Sequence, residues 1–133
     1  MDKVNNGNGL KMAYLDAGES EEVILLLHGF PELAYSWRRV VPALVHAGYR
    51  VIAPDQRGYG ETTGWALGYD VELVPYAFEN LVRDVLGLLN ALDIPSVTAV
   101  VGHDFGSPVA AWAAMTHPEV FQRLVLMLSL IHI

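Results

Sequence analysis

The residues whose types and spacing point most directly to chemistry are Gly102-His103-Asp104-Phe105-Gly106. They have the frame of a G-x-S-x-G nucleophile turn, with aspartate where serine usually stands. Such a turn takes a strand abruptly into a helix. It strains the central residue and brings neighbouring backbone too close for side chains larger than glycine at the flanks. The central side chain then projects into a cleft beside a helix N-terminus, whose dipole favours a carboxylate. Serine attacking a saturated carbon would leave an ether, which no oxyanion hole helps to hydrolyse. A carboxylate attacking the same carbon leaves an ester. Water then attacks the ester carbonyl, regenerates the aspartate, and creates an oxyanion that needs N–H donors. Asp104 in this frame therefore points to opening of an epoxide or displacement of a halide rather than ordinary ester hydrolysis. The plainer alternative is that Asp104 only caps the following helix.

A second motif, His28-Gly29-Phe30-Pro31, directly follows the apolar run Val23–Leu27. A nucleophile turn of this kind takes its second oxyanion donor from such a place. Pro31 restricts Phe30 to extended geometry and so directs its N–H. The expected donors are the backbone N–H groups of Phe30 and Phe105, with an ordinary strand-to-helix turn as the alternative for the first. Asp55-Gln56-Arg57-Gly58-Tyr59-Gly60 reads as a tight loop in which Asp55 and Arg57 could pair locally, and it receives no catalytic role. It lacks the glycine spacing of a dinucleotide fingerprint, so no cofactor is expected. The 5 histidines include no general-base candidate: His28 and His103 belong to motifs, His46 and His117 sit at helix ends, and His132 lies in the tail. None shows metal-ligand spacing with a third ligand, so no metal site is expected.

Elements of two kinds position these motifs. Lys11–Ala17 alternates apolar and polar residues, as a half-buried strand does. Val23–Leu27, Tyr49–Ala53, Val97–Val101 and Leu124–Leu128 are short apolar runs, expected as strands covered on both faces. Helical spacing predicts helices over Tyr35–His46, Pro75–Leu92 and Pro108–His117, the last buried on most sides. The alternation of strand and helix implies an α/β fold, a mostly parallel sheet with right-handed crossovers. In such a sheet, function sits at the carboxyl ends of the strands. Those ends are His28–Pro31, Pro54–Gly60 and Gly102–Gly106.

The chain has 133 residues, 53% hydrophobic and 17% charged, which makes one folded domain the default and excludes disorder. Its net charge of -7, from 8 basic and 15 acidic residues, disfavours nucleic acid and anionic membrane surfaces as partners. Absence of cysteine removes disulfides, thiolate metal sites and cysteine nucleophiles. No signal peptide is visible and no apolar run is long enough to span a bilayer, so the expected location is cytoplasmic.

His28-Gly29-Phe30-Pro31-Glu32 with Trp37, Asp55-Gln56-Arg57-Gly58-Tyr59-Gly60 and Gly102-His103-Asp104-Phe105-Gly106-Ser107 together resemble the α/β-hydrolase superfamily. More narrowly, they resemble its epoxide hydrolase branch, from about Lys11 to Leu126. The resemblance implies Asp104 as nucleophile and the N–H groups of Phe30 and Phe105 as oxyanion hole. His28, Gly29, Pro31, Gly102, His103 and Gly106 would support the motifs, and the substrate would be a small epoxide. Haloalkane and fluoroacetate dehalogenases share the aspartate turn. The former usually place a polar residue after His-Gly and the latter an arginine after the nucleophile, and Phe30 and Phe105 fit neither habit. A non-catalytic module is the alternative from another class.

The family also needs a histidine base, an acidic partner and cap tyrosines downstream of the nucleophile. The expectation is therefore that residues 1–133 form the N-terminal part of one core domain, with cap and C-terminal core absent, and do not turn over alone. Tyr69 and Tyr76 receive no acid role, and Leu128–Ile133 does not resemble the family's continuation.

Overall fold

The computed structural model describes residues 1–30, 32–63 and 77–127. Its strands are β1 (Asp2–Asn5), β2 (Lys11–Ala17), β3 (Val23–Leu27), β4 (Arg50–Pro54), β5 (Ala99–His103) and β6 (Leu124–Met127). They form a 6-stranded sheet in the order β1-β2-β4-β3-β5-β6. β4, β3, β5 and β6 run parallel, while β1 and β2 pair antiparallel at one side. A 3-10 turn, Ala34–Trp37, precedes α1 (Val41–His46); α2 (Phe78–Ala91) and α3 (Gly106–Thr116) complete the set. The mostly parallel sheet with crossover helices expected from the apolar pattern is the sheet observed.

β3 is its centre. Leu25 pairs with Ile52 on one side and Val100 on the other, and all of Val23–Leu27 is buried. Strand alternation sends Val23, Leu25 and Leu27 into a core with Val85 and Leu88 of α2 and Val109 of α3. It sends Ile24 and Leu26 to the opposite face, against Ala34, Trp37 and Val51. Each such aliphatic side chain contributes about 1.5–3 kcal/mol by leaving water, so two-sided burial anchors the strand whose carboxyl end starts the His28 motif.

The structure departs from the sequence pattern in five places. Tyr35–His46 is not one helix. Pro42 cannot donate to the preceding turn but suits the first turn of a helix, so α1 begins at Val41 after a separate 3-10 turn. β1 was hidden because Asp2-Lys3-Val4-Asn5 offers one apolar residue at an exposed edge. The following Asn6-Gly7-Asn8-Gly9 is nonetheless a hairpin signal. The third apolar core strand runs to His103, with Val97 joined to Phe121 only as an isolated bridge. α3 buries only one face, on Val109, Ala110 and Ala113, and leaves Trp112 and Met115 exposed. Finally, β6 is exposed along its whole length rather than covered on both faces, since among the described residues it ends the sheet order and pairs only with β5. The beginning of the expected Pro75–Leu92 helix, Pro75 and Tyr76, lies outside the described residues, as do Pro31, Tyr69, His132 and Leu128–Ile133.

For the site, the important consequence is adjacency. β4, β3 and β5 are neighbours and parallel. Their carboxyl ends therefore bring Asp55–Gly60, His28–Phe30 and His103–Gly106 to one edge of the sheet.

Candidate active site

Asp104 sits between β5 and α3 in the left-handed region, at φ 54. For a residue with a Cβ that conformation is strained and survives only where the surroundings enforce it. Here they do. The Asp104 N–H donates to the carbonyl of Met127 at 3.0 Å, and its carbonyl accepts from the Ser107 N–H at 3.0 Å. The Ser107 hydroxyl donates to the carbonyl of Gly102 at 2.9 Å. A Cβ on Gly106 would run into the carbonyl oxygen of Leu27, and one on Gly102 into that of Gly106. The glycines are thus required by close approach of backbone. The same holds for Gly29, where a Cβ would lie 2.5 Å from Asp104 Cβ and 3.0 Å from its Oδ2.

The Phe30 N–H donates to Asp104 Oδ2 at 3.2 Å. The strand end after β3 therefore aims a backbone donor at the carboxylate across 74 residues of sequence. The rings of Phe30 and Phe105, 59% and 62% exposed, meet edge to face with centroids 6.0 Å apart.

His28 lies beneath this edge, fully buried. The Gln56 N–H donates to its Nε2 at 3.0 Å, so Nε2 is unprotonated. Its Nδ1 then holds the proton and donates to the carbonyl of Gly29 at 2.9 Å. The Gln56 side-chain amide returns to the His28 carbonyl at 2.7 Å. Burial lowers the His28 pKa against weaker opposing effects from the Gly29 carbonyl and nearby carboxylates. His28 is therefore a neutral strut that joins the ends of β3 and β4, and both its nitrogens are engaged within the protein. Tyr59 stands edge-on to it at 4.9 Å. Burial, and secondarily the charge of Asp104, raises the Tyr59 pKa.

Asp55 and Arg57 do not pair with each other. Asp55 is buried and accepts from the N–H groups of Ala34 at 2.9 Å and Glu61 at 3.1 Å. Arg57 instead grips Asp84 of α2 with two bonds of 2.8 Å, and the Asn8 side chain adds a third donor to that carboxylate at 2.7 Å. The sequence signals only that Asp84 needs a partner, since it shares the apolar face of α2 with Leu81 and Leu88; it does not say which residue supplies one. Sequence reasoning also missed the pairing of His103 Nδ1 with Glu32 Oε1 at 2.7 Å.

Two cavities flank the elbow. One, of about 190 Å³, is bordered by Glu32, Ser36, Trp37, His103 and Met127. The indole N–H of Trp37 is the one buried side-chain nitrogen or oxygen among the described residues without a hydrogen-bond partner. The other, of about 330 Å³, is walled by Phe78 and Leu81 of α2, Phe105 and Val109 around the start of α3, and Gly29 and Tyr59 from the strand-end turns. Among the described residues, no three acidic or histidine side chains converge to hold a metal ion, and no helix is long and apolar enough to cross a membrane.

Residues 22–132 match a family model described as alpha/beta hydrolase fold. Epoxide hydrolase A of Mycobacterium tuberculosis is 44% identical over 114 residues, which cover 84% of this chain and 33% of that protein. Epoxide hydrolase B of the same organism is 48% identical over 97 residues, 73% of this chain and 26% of its own length. The crystal structure of epoxide hydrolase A from Mycobacterium thermoresistibile superposes with a TM-score of 0.83 at 39% identity, covering 94% of this chain and 37% of that one. The chain thus spans about a third of the length of relatives such as the first of these.

Proposed function

The chain belongs to the alpha/beta hydrolase fold family, and from that premise we propose that it is the nucleophile-bearing part of an epoxide hydrolase-like enzyme. One observation carries the proposal: a strained aspartate at the elbow, φ 54, whose carboxylate lies 3.2 Å from the Phe30 N–H. In the proposed reaction an Asp104 oxygen attacks one carbon of a small epoxide. The carbon–oxygen bond of the ring breaks, and the ring oxygen takes a proton to become a hydroxyl. The product is a hydroxyalkyl ester on Asp104. Water then attacks the carbonyl carbon of that ester, and the N–H groups of Phe30 and Phe105 stabilise the oxyanion. Collapse releases a diol and leaves a water oxygen in Asp104. The relatives named epoxide hydrolase support this choice of electrophile.

The second step needs a base for the water. His28 has both nitrogens engaged and His103 is held by Glu32, so neither is assigned that role. We accordingly read residues 1–133 as the N-terminal part of one catalytic core, able to be alkylated at Asp104 but not to turn over alone. The test is diol formation from styrene oxide by the full-length protein. Asp104→Asn should lower kcat/KM by about 10³-fold or more, as loss of a nucleophile does in other hydrolases. Equal activity in the variant, or no diol from the wild type, would overturn the proposal.

A further inference from the structure

The turn between β1 and β2, Asn5-Asn6-Gly7-Asn8-Gly9, contains two asparagine–glycine pairs. In such a pair the glycine nitrogen attacks the asparagine side-chain carbonyl carbon, because no Cβ on the glycine obstructs the approach. A carbon–nitrogen bond forms, the N–H proton passes to solvent base, and the amide nitrogen leaves as ammonia with a proton from water. The five-membered imide then adds water and opens to aspartate or isoaspartate. We propose that Asn8 is the reactive member of the two, a site of spontaneous deamidation whose products loosen the Arg57–Asp84 joint between the Asp55–Gly60 loop and α2.

The two pairs differ in what holds their reacting groups. The Gly7 N–H donates to Asn5 Oδ1 at 2.9 Å. Asn6 is buried, its Oδ1 accepts from the N–H groups of Asn8 at 2.8 Å and Leu10 at 3.2 Å, and its amide nitrogen donates to the Asp84 carbonyl at 3.3 Å. Attack at Asn6 therefore waits for several bonds to open together. At Asn8 the conditions reverse. Asn8 is half-buried and Gly9 exposed. Neither the Gly9 N–H nor the Asn8 Oδ1 makes a hydrogen bond among the described residues. A Cβ on Gly9 would meet nothing within 4 Å, so the imide ring has room to close. What holds Asn8 is its amide nitrogen, which donates to Asp84 Oδ1 at 2.7 Å and Asn80 Oδ1 at 3.1 Å, and that nitrogen is the leaving group. Aspartate puts a charged oxygen where the amide donated, against an Asp84 side chain only 2% exposed and so poorly screened. Isoaspartate adds a methylene to the main chain and displaces the Asn8 carbonyl, which accepts from Arg57 at 3.2 Å. Each product removes a contact of the joint.

The experiment holds the full-length protein folded in mildly alkaline buffer beside a sample unfolded in urea. The peptide that spans the turn is followed by mass and by an isoaspartate-specific methyltransferase. Both pairs should react in urea, whereas in the folded protein Asn8 should react about tenfold or more faster than Asn6. Equal rates at the two asparagines in the folded protein, or no reaction at Asn8 while the urea sample converts, would overturn the site. Thermal melting tests the consequence. Asn8→Ala, which only removes the donor to Asp84, should lower Tm, and Asn8→Asp, which also adds a like charge, should lower it further. An Asn8→Asp protein that melts at or above Asn8→Ala would overturn the effect on the joint.

Discussion

Both ring nitrogens of His28 are used inside the protein, and this has a consequence in acid. The folded state keeps the imidazole neutral, because burial lowers its pKa, while the unfolded chain takes up a proton near pH 6.5. Above that pH the two states bind the same number of protons and stability is flat in this respect. Below it the unfolded state binds more, so stability falls with pH until the folded pKa is reached. Thermal melting as a function of pH should show this loss. His28→Leu should melt lower near neutral pH, since the acceptor for the Gln56 N–H goes at a cost of about 1–3 kcal/mol, yet with a shallower decline in acid. A decline as steep as in the wild type would contradict the role. At this scale much of the site was legible. Gly102 and Gly106 were expected from backbone crowding, and the structure has the crowding there and, beyond that expectation, at Gly29. The partners of Arg57 and His103 were not legible, because each lies tens of residues away in sequence, and only the folded topology chooses among the available carboxylates.

At the scale of elements, two ion pairs of similar geometry should differ widely in effect. Arg50 bonds Asp16 at 3.0 and 2.8 Å, with both side chains about a quarter exposed. Arg57 bonds Asp84 at 2.8 Å, with 10% and 2% of the side chains exposed. Asp16→Ala should cost about 0–1 kcal/mol in urea unfolding. Asp84→Ala, which removes the buried carboxylate that Arg57 and Asn8 both donate to, should cost about 3–5 kcal/mol. Comparable losses would contradict this division. Gly106→Ala forces a Cβ against the end of β3 and should destabilise by about 1–3 kcal/mol, read in the same titration. Apolar runs located the central strands because burial on both faces leaves no polar positions in them. They could not locate β1, whose exposed edge leaves its pairing to a turn, nor the break before α1, where Pro42 interrupts an otherwise helical spacing.

At the scale of the whole molecule, the sheet is well covered at β3 and bare at β6. Val125 is 47% exposed and Leu124, Leu126 and Met127 are similar, a run of apolar strand with an unpaired side among the described residues. Such a strand recruits other strands. The 133-residue chain should therefore self-associate at micromolar concentration in sedimentation experiments, and Val125→Lys should shift it towards monomer. A wild-type chain that stays monomeric would contradict this. Composition alone anticipated an apolar excess but not its place, which follows from strand order. The central claim, that Asp104 is alkylated and then hydrolysed at its own carbonyl, is tested most directly by a single turnover in heavy-oxygen water, with the full-length protein in excess over styrene oxide. The account predicts that the first diol contains no solvent oxygen and that the peptide with Asp104 gains the label. Labelled diol from the first turnover, with Asp104 unlabelled, would mean that water opens the epoxide directly and would contradict it.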